Sequence, residues 1–170
     1  MTVHYKFDQK QLELIQDFLS KNHTVRIGII AGVSEITVYE NGVDSAQLAL
    51  VHEFGSEKRN IPERSFLRKT MTNYQDRWAA DTIKAKNKLM KMIADGDGEK
   101  FLYQAGDKWV RWVHETFKAE GPGWDPHSKR NLARRKRTGR ARGNIAQEHW
   151  PLLKDTGALL RSISREVISE

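Results

Sequence analysis

The stretch SFLRKTMTNYQDRWAADTIKAKNKLMKMIA, residues 65–94, decides the fold because it contains neither Gly nor Pro over thirty residues. Its side chains Leu67, Met71, Tyr74 and Trp78 recur at three- and four-residue spacing, which places them on one helical face. The sequence DGDG at 95–98 interrupts this pattern, and EKFLYQAGDKWVRWVHETFKAE at 99–120 resumes it. We therefore expect two long antiparallel helices that pack against each other.

Shorter elements surround this pair. Asp8 with Gln11, and Asp44 with Gln47, have the spacing of capping boxes, which predicts helices that begin after residues 8 and 44. The stretches TVRIGIIAG (24–32) and EITVYENG (35–42) predict a β-hairpin, and SREVISE (164–170) predicts a closing strand. The expected fold class is α+β: a small antiparallel sheet, formed by the hairpin plus the C-terminal strand, packs against the two long helices and the shorter ones.

The length of 170 residues is that of one domain, so we expect a single α+β domain over residues 1–170, with 121–150 a long basic loop or assembly arm. The sequence KRNLARRKRTGRAR at 129–142 carries eight Lys or Arg and no acid. Subtracting these eight from the net charge of +7 leaves −1 for the rest of the chain. The basic character therefore belongs to one segment.

Such a segment can bind phosphates without reading bases, since no aromatic side chain is interleaved in it. Acidic surfaces of a partner protein are the alternative, and the sequence does not choose between them. Trp124 and Trp150 bracket the loop, so we expect one of them to be an anchor or an interface contact. The residues predicted to face DNA or a partner are Lys129, Arg130, Arg134, Arg135, Lys136, Arg137, Arg140 and Arg142.

The sequence offers little support for a catalytic site or a metal site. His52 and Glu53 match the start of a zinc-protease helix, but that site needs a second His at position 56, where the chain has Ser56. The run DGDGEK at 95–100 lacks the Gly and the final Glu of a calcium loop. The chain has no cysteine, no phosphate-binding loop and no serine-nucleophile signature. We expect no enzymatic activity, no metal and no cofactor, and we expect neither a secretion signal nor a membrane span.

Two separated stretches resemble one protein family. The first, LALVHEFGSEKRNIPERSFLR at 48–68, matches a pattern in which a short helix ends in His-Glu-Phe-Gly and a loop leads through Ile-Pro-x-Arg-x-Phe-Leu into a long helix. The second, GWDPHSKRNLARRK at 123–136 followed by WPLLKDTGALLRSI at 150–163, matches its Trp-x-Pro, basic, Pro-Leu and Thr-Gly-x-Leu-x-x-Ser-Ile pattern. The family is that of the virion-morphogenesis or tail-completion proteins of Mu-like and lambda-like tailed bacteriophages, which act in the neck and join head to tail.

Carried over by position, the resemblance covers about a third of the chain. Ser65 departs from it where a Pro is usual, and His127 departs where a Leu is usual. The matching residues, which the resemblance implies to be an assembly or interface motif, are His52, Glu53, Phe54, Gly55, Ile61, Pro62, Arg64, Phe66, Leu67, Trp124, Pro126, Pro151, Leu152, Thr156, Gly157, Leu159, Ser162 and Ile163, with Trp150 beside them.

The resemblance implies a non-enzymatic virion protein that is assembled in the host cytoplasm and forms a homohexameric ring at the neck or tail. Its expected partners are tail terminator or tube proteins and head-connector proteins, with non-specific contact to packaged DNA. The alternative, from the residues alone, is a basic nucleic-acid-binding module that acts through residues 129–142.

Overall fold

The computed structural model of the chain describes residues 6–39, 42–119, 124 and 157–170. The helices are α1 (Gln9–Ser20), α2 (Ser45–Phe54), α3 (Leu67–Ala94), α4 (Gly98–Lys118) and α5 (Ala158–Arg161), with one 3-10 turn at Glu57–Arg59. The strands are β1 (His23–Gly28) and β2 (Ser164–Ser169). The α+β class is confirmed, whereas the predicted loop at 121–150, apart from Trp124, lies outside the described residues.

The two long helices pack antiparallel, as the sequence predicts. The chain reverses between them at Gly96, whose φ of +83° suits glycine. Along the pair, Thr70 meets Thr116 through hydroxyl oxygens 2.7 Å apart, and the Trp78 and Trp109 rings lie 5.8 Å apart. The later residue of α3 contacts the earlier residue of α4, so the two helices run in opposite directions.

The sheet differs from the prediction in its pairing. β1 pairs antiparallel with β2, from His23 opposite Ser169 to Gly28 opposite Ser164. The predicted C-terminal strand is thus confirmed, but the predicted hairpin is wrong. In its second half, Val38 forms only an isolated bridge with Asp44, because the backbone of residues 37–39 bonds to the residues that open α2.

The sheet packs against α4 at Gly106. A Cβ at Gly106 would stand 2.9 Å from the Arg165 Cγ and 3.2 Å from the Val25 Cγ1. The missing side chain therefore lets both strands approach the helix closely.

The central core is the cluster of buried side chains Ala49, Phe66, Val113, Phe117, Leu159 and Ile163. It joins α2, the start of α3, α4 and the α5–β2 connection. A smaller cluster, Ile15, Ile93 and Ala94, packs α1 against the far end of α3. In the described parts of the chain, no helix has the length and apolar character needed to cross a membrane.

Candidate functional site

The chain turns back on itself where α2 ends. Gly55 has a φ of +72° and a ψ of −178°, a conformation that only glycine adopts readily. Immediately after it, Ser56 and Ile61 exchange two backbone hydrogen bonds of 2.8 and 2.9 Å. The Arg64 N–H then donates to the His52 carbonyl oxygen at 2.7 Å. The loop that follows the His-Glu-Phe-Gly sequence is thereby bound back onto the end of α2.

This reversal brings the Glu53 carboxylate to the first turn of α3. The Glu53 side chain accepts hydrogen bonds from the backbone N–H groups of Phe66, Leu67 and Arg68 at 2.8 to 3.0 Å. It also accepts from the Ser65 hydroxyl at 2.7 Å. The first N–H groups of a helix have no partner within the helix, so a carboxylate from α2 caps the start of α3. We call Glu53 with residues 65–68 the α2–α3 junction.

Arg68, in the first turn of α3, in turn donates hydrogen bonds to α2. Its guanidinium donates to the backbone carbonyl of Glu53, while its Nε donates to the Glu53 carboxylate at 3.1 Å. The same guanidinium forms an ion pair with Glu63 at 3.0 Å and lies 4.7 Å from the centre of the Phe54 ring. Each helix therefore satisfies backbone groups at the end of the other.

The surroundings of Glu53 keep it ionised. Burial by itself raises the pKa of this carboxyl group, since only 5% of the residue is exposed. The hydrogen bonds from Ser65 and from the backbone N–H groups favour the charged form more strongly, so the pKa is lowered below its ordinary value. An anion at a helix N-terminus is also favoured by the helix dipole. With both oxygens occupied by donors, Glu53 connects α2 to α3 and is not poised for proton transfer.

Residues of the second motif block also contact the α2–α3 junction and the central core. The indole N–H of Trp124 donates to the Ser65 carbonyl oxygen at 3.2 Å, and its ring lies edge-on to Phe117 with centroids 6.3 Å apart. Leu159 and Ile163 enter the central core beside Phe66 and Phe117. Residues that are about ninety positions apart in the sequence thus contact one core.

The structure separates the predicted assembly residues by exposure. Among the motif residues that the structure describes, Phe54 is 60% exposed, whereas the others are buried or half-buried. The assignment of the motif to assembly remains a prediction. Glu53, Arg64, Phe66, Leu159, Ser162 and Ile163 are buried, whereas His52, Gly55, Ile61, Pro62, Leu67, Trp124 and Gly157 are half-buried.

Other predicted residues lie outside the described part of the chain. These are Pro126, Trp150, Pro151, Leu152, Thr156 and the basic residues Lys129, Arg130, Arg134, Arg135, Lys136, Arg137, Arg140 and Arg142. Two members of the junction were not singled out from the sequence for any role there, namely Ser65 as a donor and Arg68. Ser65 supplies a hydroxyl bond to Glu53 at the position where the family pattern has Pro.

The described residues contain no group of three or more His, Asp or Glu side chains that could hold a metal ion. A scan of the chain against protein-family models finds no match, and searches of curated proteins and of solved structures also find no significant match. The resemblance to the phage family therefore rests on the two motif blocks of the sequence alone.

Proposed function

We propose that the chain is a non-enzymatic structural protein of a tailed-phage virion, a tail-completion or neck subunit that joins tail to head as part of a homohexameric ring. The proposal assigns it no catalytic residue, metal or cofactor. Its proposed partners are tail terminator or tube proteins on one side and head-connector proteins on the other. Its proposed place is the virion, after assembly in the host cytoplasm.

One observation carries the proposal: both motif blocks of the resemblance contribute to a single structural unit. Glu53 and Phe66 of the first block and Trp124 and Leu159 of the second meet around the α2–α3 junction and the central core. Apolar residues of any single domain meet in its core, so the specific support is polar: the Trp124 indole N–H donates to the Ser65 carbonyl oxygen beside the helix start that Glu53 caps. This contact between the two motif blocks supports the use of the resemblance as a guide to function.

The experiment is a head–tail joining assay. Purified chain is added to heads and tails from a phage strain that lacks it, and joined particles are counted by electron microscopy. We expect joining to depend on the added chain and light scattering to show a ring, either in solution or on the particles. A chain that neither joins particles nor binds tails or connectors would contradict the proposal.

A basic nucleic-acid-binding module is the second candidate, and the eight cationic residues without an acid at 129–142 favour it. Deleting residues 129–142 discriminates between the two. The module predicts that DNA or RNA binding is lost, with a binding constant that falls steeply with salt before the deletion. The neck subunit predicts that head–tail joining is lost. A flat salt response of the intact chain would exclude a role in phosphate binding.

A further inference from the structure

The two-stranded sheet has an edge on each side, and the hydrogen bonds at one end show which backbone groups point outward. Asn22 and Glu170, just beyond the paired strands, exchange two backbone hydrogen bonds of 2.7 and 3.1 Å. In an antiparallel pair such bonded positions alternate with positions whose N–H and C=O groups point away from the partner strand. The residues with outward-pointing backbone groups are therefore His23, Val25 and Ile27 on β1, and Arg165, Val167 and Ser169 on β2.

These outward-pointing groups have no further backbone partner in the parts of the chain that the structure describes. Natural proteins usually protect such edges with a proline, a bulge or a covering segment. Neither strand contains a proline, and the register runs from His23 opposite Ser169 to Gly28 opposite Ser164 without a bulge. A sheet of two strands is also smaller than most stable sheets. Both edges thus offer donors and acceptors to a further strand.

The outer face of the sheet carries opposite charges on its two strands. Side chains alternate between the two faces of a strand, and Val25 and Arg165 lie against α4 at Gly106. Arg26 and Glu166 therefore lie on the other face, where their side chains form an ion pair of 3.6 Å and that of Arg26 is 62% exposed. On this face β1 offers only a cation and β2 only an acid, so each strand complements the other and neither complements itself.

We propose that the β1 edge of one copy of the chain pairs antiparallel with the β2 edge of the next copy, so that one continuous sheet joins the copies. In the register that the strands have within the chain, the outward-pointing groups of Val25 bond to those of Val167, and Arg26 lies opposite Glu166 of the next copy. A shift by two residues in either direction removes this direct charge pair.

The charges also select a head-to-tail contact. When either strand pairs antiparallel with its own copy, Arg26 or Glu166 meets no opposite charge, because β1 has no acid and the only base on β2, Arg165, lies on the inner face. An interface between two different edges closes into a ring when the rotation between copies allows it, and a closed ring leaves no strand edge unpaired. The inference rests on the proposed function, because it names the contact that joins the copies of the proposed ring.

Disulfide formation between two different chains tests the pairing, since the native chain has no cysteine. One full-length chain carries Thr24→Cys, the other carries Ile168→Cys, and the two are co-expressed. In the proposed register these positions face each other between copies as a pair without mutual hydrogen bonds, at a Cα separation of about 4.5 Å that suits a disulfide. The cysteines are kept on separate chains because Thr24 also lies opposite Ile168 within one chain. We expect a mixed dimer after oxidation, identified by mass spectrometry, at several-fold the yield of the dimer from either chain alone.

Ser164→Cys is the matched control for Ile168→Cys. Ser164 is half-buried like Ile168 and lies on the same strand, where the even spacing places both side chains on the outer face. It stands about 13 Å along the strand from the position opposite Thr24 of the next copy. Thr24→Cys with Ser164→Cys should therefore give little mixed dimer, although the chemistry and the strand are the same.

An exchange of charges between the two chains tests the complementarity. Arg26→Glu in the Thr24→Cys chain should reduce the mixed dimer several-fold, because it places a glutamate opposite Glu166 of the next copy. Glu166→Arg in the Ile168→Cys chain should then restore it. The charge pair within each chain stays broken in both variants, so restoration reports the contact between chains alone. Circular dichroism checks that every variant is folded.

Oxidation is carried out in concentrated solution and on the particles that the chain completes. The inference is overturned if the mixed dimer exceeds neither the single-chain yield nor the Ser164→Cys control in both settings, or if the charge exchange restores nothing. An equal yield of dimer from the Thr24→Cys chain alone would show a symmetric contact and also overturns it. The joining assay with wild-type chain is run in parallel, so intact joining without the mixed dimer rejects the edge pairing alone, whereas absent joining rejects the proposed function.

Discussion

The first three helices of this chain start in two different ways. α1 and α2 each begin with a capping box in which Asp8 or Asp44 accepts from the N–H three residues ahead, at 2.8 and 2.7 Å. α3 begins after Phe66, which offers no side-chain cap, and its first N–H groups bond to Glu53 on another helix. A helix that begins with a capping box needs only the four residues of that box, which we call a local start. The start of α3 needs the reversal at Gly55 and the core around Phe66, so it couples local structure to the tertiary fold.

The largest effect that we expect comes from Gly55→Ala, which should lower the free energy of unfolding by about 4 kcal/mol. An alanine Cβ would lie 2.9 Å from the Glu63 backbone nitrogen and 3.1 Å from the Ile61 carbonyl oxygen. Neither backbone atom can move without opening the reversal. Urea denaturation measures the loss.

Gly32→Ala is the matched control for this change. Gly32 has nearly the same φ, +77°, but no atom lies within 4 Å of its Cβ position. The control should cost about 1 kcal/mol, the cost of a positive φ without close contacts. Equal losses at the two glycines would mean that the contacts at Gly55 do not matter.

Glu53→Gln should have the next largest effect, about 3 kcal/mol. The amide keeps the size of the side chain but loses the charge, and its NH2 group faces buried donors that then have no acceptor. Thermal and urea unfolding report the change, and amide hydrogen exchange should speed up at Phe66, Leu67 and Arg68.

Glu63→Gln is the control for the charge. Glu63 also pairs with Arg68, but its side chain is 54% exposed, so the loss should stay within about 0.5 kcal/mol. If Glu53→Gln cost no more than this, the capping of α3 from α2 would be of no energetic importance.

A local cap should matter less. Asp44→Ala removes one acceptor at the start of α2 and should cost about 1 kcal/mol, with Asp8→Ala similar at α1. Because water can reach these first turns, their N–H groups find other partners when the cap is lost. A cost at Asp44 as large as that at Glu53 would erase the distinction between local and tertiary starts.

The same distinction explains which features the sequence predicts. The capping boxes of α1 and α2 and the periodicity of α3 and α4 are local, and each prediction agrees with the structure. The pairing of β1 with β2 joins residues such as Val25 and Val167, and no spacing rule connects them. A hairpin to the nearest apolar stretch was the expectation that local rules favour, and it was wrong because the start of α2 binds that stretch.

The contacts of the α2–α3 junction likewise could not be predicted from local sequence rules. The sequence pattern includes Glu53 and Phe66 among its matching residues but does not say that one caps the helix that the other begins. Arg68 carries no local signal at all, since an arginine in the first turn of a helix is ordinarily exposed and unfavourable to the dipole. Its role depends on the carbonyl of Glu53, which only the folded chain brings near.

The smallest effect that we expect is a dependence of stability on pH. The hydrogen bonds outweigh burial and lower the pKa of Glu53 in the folded chain, so the unfolded chain binds the proton more readily. The stabilisation by Glu53 is therefore complete above the ordinary glutamate value near 4.5 and is lost as the pH falls through the lower pKa of the folded state. As the pH is lowered from about 6 to about 3, the interval over which a carboxyl group such as Glu53 takes up its proton, the urea midpoint should fall less steeply for Glu53→Gln than for the wild type. Parallel curves for the two proteins would show that the junction binds the protonated and ionised carboxyl groups equally, and the anion would then not be what starts α3.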